Sequence, residues 1–111
     1  MTKQEILKMF KEAINSVYPV FSVEKENIRI NITWTNGTKY IWVYLINSKT
    51  KKEIKWLSYM LITNKKQYIK AHKLDEEQFK ENYKNCFNCF KTKKDLVKEF
   101  EEDLFKNFNI N

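Results

Sequence analysis

The chain has 111 residues, 42% of them hydrophobic, and a formal net charge of +7. That length holds one domain, residues 1–111, able to bury roughly 65% of its unfolded surface. The longest apolar run, Ile41 to Ile46, is far too short to span a bilayer, and the charged N-terminus MTKQEILKMFKEA lacks the apolar stretch of a secretion signal.

The chain is expected in the cytoplasm, because a small secreted domain would usually carry more than two cysteines. Its cations are 20 lysines and one arginine. A basic surface attracts phosphates or an acidic partner. Lysine, asparagine and isoleucine also have AT-rich codons, so part of the charge is compositional.

In chain order, Thr2 and Glu5 form a capping box. The helix they open aligns Ile6, Phe10, Ala13, Ile14 and Val17 on one stripe. Pro19 biases Tyr18 out of the helical region and ends the segment. Val20 to Val23 reads as a short strand or an extended lead-in, and Glu24 to Asn27 as a polar connector.

Ile28 to Asn47 reads as a β-hairpin. Its turn, Asn36-Gly37, holds the only glycine in the chain. A type I′ turn needs positive φ at both central residues, and Asn-Gly supplies it. A two-residue turn pairs Thr35 with Thr38, Trp34 with Lys39, Ile32 with Ile41, Ile30 with Val43 and Ile28 with Leu45. Alternation then gathers Ile28, Ile30, Ile32, Ile41, Val43 and Leu45 on one apolar face. The opposite face pairs Arg29 with Tyr44, Asn31 with Trp42 and Thr33 with Tyr40.

Ser48 to Lys52 is a polar loop. Glu53 to Thr63 is read as a third strand, apolar on both alternate sets. A helix gathering Ile54, Leu57, Ser58 and Leu61 fits the same period. Asn64 to Lys73 is read as a basic connector. Asp75 (N-cap), Gln78 and the Leu74–Phe79 staple mark a helix start. That helix would bury Phe79, Tyr83, Cys86, Phe87 and Phe90. Thr92 to Asp95 opens a last helix bearing Leu96, Val97, Phe100, Leu104 and Phe108. The expected fold is therefore α+β. It has an N-terminal helix, an antiparallel sheet of three strands (four if Val20–Val23 joins) built on the 28–47 hairpin, and two C-terminal helices.

Signals of chemistry are sparse. Cys86 and Cys89 form a C-x-x-C, but a zinc site needs two more ligands and His72 is the sole histidine. Placed deep in a helix beside Phe87 and Phe90, the two cysteines read as small core residues. His72 reads as a solvated surface residue. The acids gather at helix starts and on the last helix, where they complement the dipole or pair with lysines. One glycine leaves no phosphate-cradling loop. The chain is expected to be no enzyme, with no cofactor and no metal.

Lysine clustering is the strongest functional signal. Between residues 39 and 73 nine lysines face one acid, Glu53. They are Lys39, Lys49, Lys51, Lys52, Lys55, Lys65, Lys66, Lys70 and Lys73. Beside them Tyr40, Trp42 and Tyr44 would form a stacking platform for unpaired bases, unless the last helices cover that face. These twelve residues are the candidate binding set. They point to a small binding protein that engages nucleic acid or a nucleoprotein complex. The alternative is a stand-alone protein-interaction module docking an acidic or apolar partner, such as a phage or mobile-element inhibitor of a host defence. A membrane partner is not expected.

Overall fold

The computed structural model describes residues 1–73, 75, 77, 81 and 92–110. Asn36 and Gly37 take φ of 51° and 75°, the left-handed values a type I′ turn demands. The turn sets the register of β2 (Ile28–Thr35) against β3 (Thr38–Ile46), and every pairing expected above is present, from Thr35–Thr38 to Ile28–Leu45. β4 (Glu53–Ile62) continues the sheet against β3. The fourth strand left open at Val20–Val23 exists as β1 (Val20–Lys25), paired with β2. The four strands run antiparallel in the order β1-β2-β3-β4.

Two helices roof one face of this sheet. α1 (Lys3–Ile14) carries the full Thr2–Glu5 capping box and buries Ile6, Phe10, Ala13 and Ile14, together with Leu7 and Met9. Val17, expected on that stripe, is instead 76% exposed. The helix stops at Ile14 with Asn15 as its cap, so Val17 lies beyond the last turn. The helix from the far end of the chain (Lys93–Phe108) has its own capping box, Thr92 with Asp95, and buries Leu96, Phe100, Leu104 and Phe108. It joins α1 on the isoleucine face. Phe10 and Phe100 stack with ring centroids 4.1 Å apart, and Tyr59 meets both edge-on at 5.6 and 5.9 Å. Ile28, Ile30, Ile32, Ile41 and Val43 are buried beneath them. Each such side chain contributes about 1.5–3 kcal/mol through burial. Leu45, expected in the core, is half-buried at its margin, and Ile46 is the buried residue beside a bulge in the β3–β4 ladder.

Between β4 and the last helix, the segment read as a basic connector folds into α2 (Lys65–Ala71). Asn64 caps it by accepting the Gln67 N–H, and Tyr68 is buried. The helix 93–108 is α3 below. The expected helix after Asp75, with its Leu74–Phe79 staple and the Cys86/Cys89 pair, falls on residues that lie, almost all, outside those described. No described helix is long and apolar enough to cross a membrane.

Candidate functional site

Strand parity decides where the candidate lysines go. Lys39 pairs with Trp34 and lies on the same side as Ile41, facing the helices. It is 4% exposed, which removes it from any surface patch. Its Nζ donates to the Ile14 and Ser16 carbonyls, both at 2.7 Å, and sits 4.7 Å over the Trp34 ring. The ammonium thus closes the C-terminal end of α1, where carbonyls lack helical partners and the dipole favours a cation. Burial, with the Lys93 charge second, holds this lysine below its ordinary pKa. Lys55 pairs with Leu45 and lies on the helix side too. Its Nζ donates to the Asn107 carbonyl at the end of α3, at 3.1 Å.

The other lysines stay outside, at the two ends of β4. At one end the β3–β4 loop presents Lys49, Lys51 and Lys52. Asn47 shapes that loop by accepting the N–H groups of Lys49 and Thr50, and Lys51 takes φ of 63°. Lys51 also pairs with Glu24 at 3.1 Å. At the other end Lys65, Lys66 and Lys70 lie on α2, with Lys73 just past it. Lys49, Lys52, Lys65, Lys66, Lys70 and Lys73 are exposed, and none forms an ion pair among the described residues.

α2 is locked onto the hairpin turn. The Gly37 carbonyl accepts the N–H groups of Thr63 and Asn64 and the Thr63 hydroxyl. That hydroxyl in turn accepts the Trp34 indole N–H at 2.9 Å. A Cβ on Gly37 would stand 2.6 Å from the Asn64 carbonyl oxygen.

The sheet face opposite α1 and α3 carries Tyr40, Trp42 and Tyr44, all half-buried. Tyr40 and Trp42 stack on each other at 6.2 Å. Trp56, paired with Tyr44, is 61% exposed. A cavity of about 290 Å³ reaches from Tyr40, Trp42, Ser58 and Met60 to Leu96 and Glu99 of α3. The charge on this face is balanced. Arg29 pairs with Glu24 at 2.8 Å and Glu53 at 3.7 Å, and Glu24 binds Lys51 as well. Hydrogen bonds from Arg29, then from Lys51, hold the Glu24 carboxyl below its ordinary pKa. The aromatic trio and the lysines are therefore neighbours along β4 without forming one continuous basic platform.

On the helix side, Tyr59 donates to Asp103 at 2.6 Å. Burial, then that bond and the charges of Asp103 and Glu99, raise the hydroxyl far above its ordinary pKa, so it remains a donor. A further set of lysines comes together only in the fold. Lys11 of α1 and Lys93, Lys94 and Lys98 of α3 line one groove of about 380 Å³. Lys93 reaches across it to the Asn15 side chain at 2.8 Å. Lys93, Lys94 and Lys98 lie within six residues of one another, but about eighty residues separate the two helices, so no local count could add Lys11 to them. Among the described residues no cluster of three or more His, Cys, Asp or Glu is placed to hold a metal ion.

Comparison with known proteins finds no matching family model, no matching curated protein and no matching solved structure.

Proposed function

We propose that this chain is a small non-enzymatic binding protein that engages nucleic acid, bare or within a nucleoprotein, through the lysines at the two ends of β4. The supporting observation is the division of its charges. Glu5, Glu24, Glu26, Glu53 and Glu101 each hold a cation, whereas six lysines flanking β4 hold no described acid. Such ammonium groups displace condensed counterions when they meet phosphates.

Retention on heparin that collapses at moderate salt tests the reading, together with charge reversal of Lys49 and Lys52, of Lys65, Lys66 and Lys70, or of both sets. Either reversal should weaken binding in part, and the two together additively, since the sets are far apart. Each lost phosphate contact should flatten the salt dependence by about 0.9 of a unit of slope. Binding that survives both reversals would overturn the proposal.

One observation favours a protein partner instead. Val17, Tyr18 and Val20 are 76%, 63% and 72% exposed at the corner where α1 passes to β1. A stand-alone interaction module, such as a mobile-element inhibitor, would dock such a corner on its target. A pull-down that retains one protein after nuclease treatment and in high salt supports this second reading.

A further inference from the structure

The spacing of the two free lysine sets narrows the ligand. β4 has ten residues, Glu53–Ile62. At about 3.3 Å per residue it sets its two ends about 33 Å apart. Lys49 and Lys52 stand before it, and Lys65, Lys66 and Lys70 after it. Between them, on the face turned away from α1 and α3, β4 presents Ile54, Trp56, Ser58, Met60 and Ile62. β3 adds Tyr40, Trp42 and Tyr44, while Thr38 and the bulge residue Ile46 are buried. Arg29, with Lys51 reaching in from the loop, supplies the positive charge there among the described residues, and Glu24 and Glu53 hold it. Lys39 and Lys55 are turned to the helix side, onto carbonyls.

A single strand is held by cations that track its backbone, nucleotide by nucleotide. Among the described residues this surface has no such track. A double helix presents the same backbone to one side once per turn, about every 34–36 Å in B-form DNA. Two cationic sets about 33 Å apart with a neutral stretch between them match that repeat. Resting on the function proposed above, we infer that the ligand is a nucleic-acid duplex lying along β4, touched by phosphate contacts one helical turn apart.

Fluorescence anisotropy with the full chain tests this on blunt duplexes of about 8 and about 16 base pairs and on a 16-nucleotide single strand, in DNA and in RNA. The longer duplex should bind at least about tenfold tighter than the shorter one, because only it engages both sets at once. The triple variant Lys65→Glu, Lys66→Glu, Lys70→Glu, checked by circular dichroism, should bind both duplexes equally. The DNA and RNA arms separate a B-form from an A-form ligand. A single strand bound as tightly as the long duplex, or two duplexes bound alike by the unaltered chain, overturns the duplex inference and leaves the function standing. No binding of any probe at low salt overturns both.

Discussion

The two faces of the sheet are built on different terms. The face under α1 and α3 is made of β-branched side chains at near-zero exposure, closed by the Phe10–Phe100–Tyr59 ring cluster. The opposite face carries large half-buried rings, a Ser22–Asn31 hydrogen bond at 2.7 Å and the Glu24–Arg29–Glu53 ion pairs. Dense apolar packing supplies stability, while rings and paired charges at partial exposure contribute less energy and leave groups able to meet a partner. One face accounts for the fold, and lysines without a described acid stand at the ends of β4 as well as along the groove between α1 and α3.

The sharpest test of that contrast is deletion on each side. Phe100→Ala removes a fully buried ring and should cost about 3–5 kcal/mol in urea denaturation. Trp42→Ala, at half burial, should cost about 1–2 kcal/mol. Equal losses would show that the aromatic face is a second core. Next comes the turn where both faces end. Gly37→Ala meets both a left-handed φ and the Asn64 carbonyl, so it should lose about 2 kcal/mol or more. Gly37→Asn relieves the first problem only. If it matches the wild-type thermal midpoint, the lock between turn and α2 is not what it is described to be.

Lys39 and Lys49 make a smaller comparison across the same divide. Lys39→Met strips the Ile14 and Ser16 carbonyls of their donor and should cost about 1–3 kcal/mol. Lys49→Met should stay within about 0.5 kcal/mol. Matching values in chemical denaturation would put Lys39 back on the surface.

Much of this was legible in the sequence. Asn36-Gly37 dictated the hairpin register, and with the register came the isoleucine face. The same parity places Lys39 beside Trp34 and Ile41, a consequence that counting lysines by window passes over. Lys55 needed the register of β4, which a run apolar on both alternate sets does not announce. α2 was missed because a lysine-rich stretch resembles a loop, although Asn64 three residues before Gln67 is a capping signal. The groove of Lys11, Lys93, Lys94 and Lys98 depends on α1 meeting α3, which no local pattern encodes.

The smallest expected effect concerns the ion pairs of the face opposite α1 and α3. Glu24 has a lowered folded-state pKa, set first by Arg29 and then by Lys51. Such a group contributes stability above its ordinary pKa and loses it as pH falls through the lowered value. Glu24→Gln should therefore lower the urea midpoint slightly at neutral pH, and the gap should shrink in acid, below the ordinary carboxylate range. An equal gap at both pH values would remove the network from the account of this face.

The meander order of the strands has a consequence for how the chain is made. Each strand pairs with its neighbour in sequence, so the sheet closes through short loops. Phe10 waits for Phe100, ninety residues later. During synthesis all four strands are complete before the residues of α3 emerge, and the half of the isoleucine face nearest β4 stays without that roof until they do. A chain stalled before Lys93 would therefore present greasy surface to chaperones, and release of the last helix is the step that withdraws it.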